Sequence, residues 1–382
     1  MTSPFPSLLY SDLEDDLRAT VRDLLKDRCD VDAVLRRTDG AEAFGDEARA
    51  VWTALVGDLG LAGLAVPEER GGAGASWREV AVVLEELGRS VADVPFFSSA
   101  VLATSLLTRL DADEPLASLV AGDAVAAVVA PFGGPLSASG TVRLTDAGLT
   151  GTVPLVAGAA EADWLVVPLT DAVVLVRSED ATITAVPSLD MTRRLSDVTF
   201  DAAAAEVLAR GPEVGDHLRR TADLAAALLA SEQLAVAERV LEMTVDYVQQ
   251  RRQFGRAIGS YQAVKHRLAD LWTDVMRARA VARYAAACAA AATSEDDADL
   301  PVAAAVAQAV CGEVAQRAAE ECVQLHGGIG FTWEHPAHLY LKRAMADAAA
   351  LGSTAWHRHR VARLVDLPAP SPLDATVSTS EE

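Results

Sequence analysis

The sequence predicts a mainly helical α+β protein, with a strand-rich region between two helical ones. Three observations carry that prediction. Near the start, apolar residues recur at helical spacing, at Leu13, Leu17, Val21, Leu24 and Leu25. From 121 to 210 the apolar runs become short and β-branched, with turns between them. After 211 long stripes return, one carrying Leu224, Leu228, Val236, Val240, Val245 and Val248. The 382 residues allow two or three domains, and 51% hydrophobic content is ample for a core.

Residues 1–120 read as an N-terminal helical domain. The helix around residues 51–66 breaks into a loop at Pro67, Gly71, Gly72 and Gly74. Ser76, with Glu79 three residues on, has the capping-box pattern of a helix start, and Gly88 reads as that helix's C-cap. FFSSAVLATSLLTRL adds one more apolar helix. Residues 121–210 form the middle domain. Its runs AVAAVVA, TVRLTD, TGTVPLV, WLVVPL, AVVLVR, TITAV and VTFDA fit a small β-barrel or a sandwich, and periodicity leaves that choice open. Residues 211–366 read as four amphipathic helices joined by short loops, an antiparallel bundle. The second helix carries Val264, Leu268, Leu271 and Val275; the third starts after Pro301, and SEDDAD (294–299) is the solvated loop before it. The tail, 367–382, has little to bury and is expected to be disordered.

Composition excludes several classes of function. There are 33 Lys and Arg against 55 Asp and Glu, a net charge of −22. A nucleic-acid surface needs a basic footprint, and an anionic membrane repels such a chain, so neither partner is expected. No apolar run approaches the roughly 18–20 residues that span a bilayer. The start lacks a basic region followed by an apolar stretch, so a cytoplasmic protein is expected. The cysteines Cys29, Cys288, Cys311 and Cys322 read as buried reduced thiols. His335-x-x-His338 lacks a convincing third ligand, so no metal site is expected, and no serine sits in a nucleophile elbow.

Two motifs can carry chemistry. Arg251-Arg252-Gln253-Phe254-Gly255 ends the first bundle helix, and Gln324-Leu325-His326-Gly327-Gly328-Ile329-Gly330 ends the third. Glycines permit close backbone approach, and exposed N–H groups can hold a phosphate. An arginine pairs with pyrophosphate, and a phenylalanine can cover an adenine or flavin face. Taken singly, each motif also fits an ordinary helix end.

Taken together, these residues resemble the acyl-CoA dehydrogenases over nearly the full chain. LGLAGLAVPEERGGAGASWREVAVVLEELGRSVADVP is similar to the family's N-terminal signature, and SLDMTRRLSDVTFDAAAA to the end of its middle domain. RRQFGRAIGSYQAVKHRLADL and CVQLHGGIGFTWEHPAHLYLKRA resemble its two C-terminal signatures. The resemblance implies a helical domain, a β-barrel domain and a four-helix bundle, assembled as a tetramer with FAD between subunits. It implies that Arg251, Gln253, Phe254, Gln262, Gln324, Gly327 and Gly328 hold the adenine and pyrophosphate end of a neighbour's FAD.

The remaining family positions depart from the pattern. The Tyr-x-x-Thr-Glu-x-x-x-Gly-Ser-Asp loop is replaced by AAVVAPFGGPLSASG, from Ala126 to Gly140. Where Trp-Ile-Thr faces the flavin, this chain has Leu155, Val156 and Ala157. The glutamate that takes the α-proton has two alternative positions in the family; here they hold Leu351 and Ala225. No catalytic residue is therefore assigned. The split resembles the base-lacking subunit of actinobacterial α2β2 acyl-CoA dehydrogenases, which are associated with steroid side-chain and other bulky CoA thioesters. The resemblance then implies a homologous partner subunit, an acyl-CoA substrate and an electron-transfer flavoprotein as acceptor. Two alternatives stand beside this reading. One is a self-sufficient homotetramer with a relocated base such as Glu232, near Asp223 on the same helix; the other is a non-catalytic acyl-CoA-binding scaffold.

Overall fold

The structure, a computed structural model, describes residues 7–39, 45–292 and 299–368. The expected loop at 294–298 and the tail beyond Pro368 lie outside the described residues.

The N-terminal region is helical. Helix α1 (Asp12–Arg28) starts with a reciprocal cap: the Glu14 N–H donates to Ser11 Oγ, and the Ser11 N–H donates to the Glu14 carboxylate. After α2 (Val31–Asp39), α3 (Asp46–Thr53) widens into a π-helical turn, Ala54–Asp58, and the chain turns away at Gly60, φ 66°. Ser76 and Glu79 cap α4 (Trp77–Arg89) as the sequence predicts. Gly88 is not its C-cap. It lies inside α4 where that helix crosses a bundle helix, and a Cβ there would come within 2.5 Å of the Glu232 carbonyl oxygen. A buried π-helical stretch, Phe97–Ala103, runs into α5 (Thr104–Arg109), and α6 (Asp113–Val120) follows.

Eight strands follow: β1 (Ala126–Val128), β2 (Val142–Thr145), β3 (Gly148–Ala157), β4 (Trp164–Pro168), β5 (Ala172–Arg177), β6 (Ala181–Val186), β7 (Leu195–Ala203) and β8 (Glu206–Arg210). They form two four-stranded sheets, β1-β4-β5-β8 and β2-β3-β7-β6. Only β1 and β4 pair in parallel; a bridge between Pro131 and Val156 links the two sheets. Leu149, Val153, Leu165, Val174, Val198 and Phe200 fill the space between them, so the β-branched runs bury one another.

The C-terminal region begins with α7 (Val214–Gln250). A short hairpin, β9 (Arg252–Gln253) with β10 (Arg256–Ala257), leads to α8 (Gln262–Ala291). Then come α9 (Asp299–His326), α10 (Ala337–Ala349) and α11 (Thr354–Leu364). Helix α9 starts two residues before Pro301, which sits in the first turn, where its missing N–H costs nothing. The sequence separates four of these helices; the fifth, α11, packs on α9. Helices α7 and α9 meet through small side chains, including Ala226, Ala230, Ala304, Ala315 and Ala319, all buried. One continuous apolar core joins α4, α7 and the β1-β4-β5-β8 sheet.

Candidate functional site

The first motif is presented at the end of α7. The helix stops at Arg251, whose ψ turns to 127°. Phe254 and Gly255 then form a two-residue hairpin tip with φ of 52° and 81°. Positive φ at both positions matches the twist of the flanking strands, and a phenylalanine in the first of them is uncommon. Its ring is 93% exposed. Inside the hairpin, Tyr261 Oη donates to the Gln253 carbonyl at 3.3 Å, and the Arg256 guanidinium lies 3.8 Å over the Tyr261 ring. Arg251 and Gln253 are exposed beside it, and Gln262 opens α8 with its amide 3.5 Å from His266 Nε2.

The second motif leaves the end of α9. Gln324 is exposed on the last turn, and Gly327 takes φ 63°. Gly328 has ordinary φ, and a Cβ on it would meet nothing within 4 Å. Neither backbone nor packing in this chain explains a glycine there; close approach of a bound group would. The Tyr247 ring stacks on His326 at 4.3 Å, and His326 lies 4.4 Å from His335. These rings bring the two motif ends together. Beyond them Ile329, Phe331 and Trp333 are exposed, so this edge of the bundle is apolar as well as open.

The middle-domain positions differ in kind. Leu155 is partly exposed at φ 57°, and Val156 and Ala157 are buried. None offers a hydroxyl. Phe132, in the loop that replaces the family's polar one, is buried edge-on against Phe97 at 6.4 Å, with the Arg193 guanidinium 5.0 Å over its ring. The residues present therefore fit the adenine and pyrophosphate end of FAD, and they do not fit its isoalloxazine ring.

Both base positions are apolar and buried. Ala225 lies on α7; Leu351 sits at φ 54° with its N–H 3.3 Å from the Phe132 carbonyl. Leu351, Leu136, Ala222, Ala226 and Trp356 line a cavity of about 350 Å³, within the range of small-molecule pockets. Asp223 faces it and is ion-paired with Arg360. Burial pushes the Asp223 carboxyl up, and Arg360 pulls it back. His357 faces it too; burial, then Arg360, holds it down at about 4, so it is neutral.

Glu232 faces elsewhere. Arg193 reaches its carboxylate at 2.5 Å, and Arg343 pairs with the same oxygen. Arg343 also binds Asp190, the Thr192 hydroxyl at 2.6 Å and the Ala92 carbonyl. Arg193 lies 3.3 Å from Asp347, whose carboxyl burial pushes up to about 8. The adjoining cavity, about 30 Å³, has room for about two waters. In this arrangement the Glu232 carboxylate is held by two arginines, and the cavity beside it is too small for an acyl group.

Helical domain, paired sheets, helical bundle and a motif-bearing bundle edge together define a class, the acyl-CoA dehydrogenase fold. Two family profiles match: the acyl-CoA dehydrogenase N-terminal domain over residues 11–111 and the C-terminal domain over 218–365. The chain belongs to the acyl-CoA dehydrogenase family, whose members are FAD-dependent oxidoreductases. It is similar to acyl-CoA dehydrogenase IpdE2 of Mycobacterium tuberculosis, 36% identical over 88% of this chain and 92% of that one. Among solved structures it resembles the ChsE4–ChsE5 complex of Mycobacterium tuberculosis, with a TM-score of 0.82 and 30% identity over 96% of this chain and 100% of that one. It also resembles a single-substitution variant of the Tcur3481–Tcur3483 steroid acyl-CoA dehydrogenase, with a TM-score of 0.81 and 28% identity over 93% and 98%. No helix among the described residues is long and apolar enough to cross a membrane.

Proposed function

We propose that this chain is the base-lacking subunit of a heteromeric, α2β2 acyl-CoA dehydrogenase acting on a bulky acyl-CoA such as a steroid side-chain thioester. One observation carries the reading. The chain exposes a motif edge that its own fold leaves uncovered, with Phe254 93% exposed, while both base positions are buried and apolar. That edge has the chemistry for a cofactor held mainly by another chain. Arg251 and the open glycine backbone at 327 and 328 suit a pyrophosphate, Phe254 suits an aromatic face, and Gln253, Gln262 and Gln324 offer amides. A homologous partner would supply the isoalloxazine pocket and the carboxylate that takes the α-proton. Bound FAD supplies a two-electron acceptor for the hydride leaving the β-carbon, and an electron-transfer flavoprotein would reoxidise it. The likeness to the ChsE4–ChsE5 complex and to Tcur3481–Tcur3483 supports a paired assembly, and the second supports the steroid class.

Flavin absorbance per protomer tests this. The chain expressed alone should carry no flavin, and coexpressed with a homologous acyl-CoA dehydrogenase chain from the same genome that forms a complex with it, about one FAD per two chains. A full flavin complement on the lone chain, with dehydrogenation of an acyl-CoA, would sink the proposal.

A further inference from the structure

The two motifs leave the chain from different helices, α7 and α9, and residues outside either motif's FAD-facing set set their spacing. Tyr247 lies one turn before Arg251, and its Oη donates to the His326 carbonyl at 3.2 Å while its ring covers the His326 ring. His326 is buried and immediately precedes Gly327. His335, on the far side of His326, precedes α10. We infer that Tyr247, His326 and His335 are positioning residues, a staple of stacked neutral rings that holds the hairpin and the glycine turn as one rigid edge toward the flavin. The inference deepens the proposed FAD role, and the existence of the staple can be judged without FAD.

Hydrogen bonding fixes a proton on His326 Nδ1 and a bare nitrogen at His335 Nδ1. His326 Nδ1 lies 2.7 Å from the Cys322 carbonyl, which can only accept, so that nitrogen carries the proton. The Ala337 N–H donates to His335 Nδ1 at 3.2 Å, so that nitrogen must be bare. Protonating it would delete the acceptor, place a cation at the positive end of α10, and set that cation against His326. The groups facing the stack give no relief. They are Tyr247 from α7, Cys322 from α9 and His338 from α10; Lys342 lies 4.2 Å over Trp333, and Glu334 is exposed. Burial, then His326 and His338, hold His335 at about 4, and burial lowers His326. The staple therefore stays neutral and closed at physiological pH.

Two measurements test it. In the lone chain, the His335 ring proton followed by NMR should titrate more than one unit below 6.5, and in Tyr247→Leu it should move back toward 6.5. A His335 that titrates near 6.5 in the folded wild-type chain would overturn the staple. In the reconstituted complex, Tyr247→Leu should weaken FAD at least tenfold by fluorescence titration. Tyr247→Phe, which keeps the ring, should weaken it less than threefold, and both should unfold at the wild-type midpoint. An unchanged FAD affinity in Tyr247→Leu would overturn the positioning role. If the wild-type complex binds no FAD, the half-site reading fails, while the titration still decides whether the staple exists.

Discussion

The free edge of the bundle and the seam between the three regions are built on opposite terms. At the edge, Arg251, Gln253, Phe254 and Gln324 face outward, and the space above Gly327 and Gly328 is empty. At the seam, Glu232, Asp190, Arg193 and Arg343 are spent on one another beside a cavity of about 30 Å³. Aromatic and basic groups left uncovered imply something outside the chain to cover them. Charges that neutralise each other inside a fold hold its parts together, and losing one leaves the others unpaired. On the proposed function, the chain's contribution lies at its surface and its interior has a structural task.

The largest expected effect follows from the seam. Arg343→Met leaves Asp190 and Glu232 without their shared partner, and breaking a buried ion pair from one side costs about 3–5 kcal/mol. Phe254→Ala should change stability by no more than about 0.5 kcal/mol, as exposed substitutions do. Urea denaturation of the two variants checks both, and the reverse order would break the comparison. Next comes Arg251→Ala in the reconstituted complex. A charge-assisted hydrogen bond is worth about 1.5–3 kcal/mol, so FAD should weaken by about 10- to 100-fold with the unfolding midpoint unmoved.

A smaller effect separates the seam's members by pH. Burial raises the Asp347 carboxyl to about 8, above its unfolded value of 3.8, so the folded state favours the protonated form. That contribution is complete below about pH 4 and is lost as pH rises through about 8. Asp347→Asn, which cannot ionise, should gain stability over wild type progressively as pH rises from 5 to 8. A gain that does not grow with pH would mean Asp347 stays charged beside Arg193.

Local rules made much of this legible. The Ser76–Glu79 cap and the long bundle helices follow from nearest-neighbour spacing, which survives folding unchanged. Non-local contacts were not legible. Gly88 read as a cap because its reason, the Glu232 backbone, lies across space. The two-sheet arrangement depends on β1 meeting β4 and β3 meeting β7, pairings that strand propensity does not encode. The partners of Glu232 sit 39 and 111 residues away, so its spacing from Ala225 on the helix carried no sign of the ion pairs that hold it. The ring staple had a faint signal, since Tyr247 is four residues before Arg251 and His326 adjoins Gly327, but nothing in sequence ties one to the other.

The smallest expected effect decides between the remaining readings. Asp223, unlike Glu232, faces the 350 Å³ cavity that Leu351 lines, so it is the carboxylate to test as a base relocated within this chain. Removing a general base costs about 100- to 10,000-fold in rate. Arg360 already pairs with one oxygen of the Asp223 carboxylate, and Leu155, Val156 and Ala157 offer no hydroxyl, so on the proposed function the carboxylate has no completed site to serve. Asp223→Asn in the reconstituted complex should therefore keep kcat/KM within about threefold, well short of what loss of a base would cost. A hundredfold loss in kcat with KM preserved would move the chemistry into this chain, and the exposed edge would then serve a second copy of it.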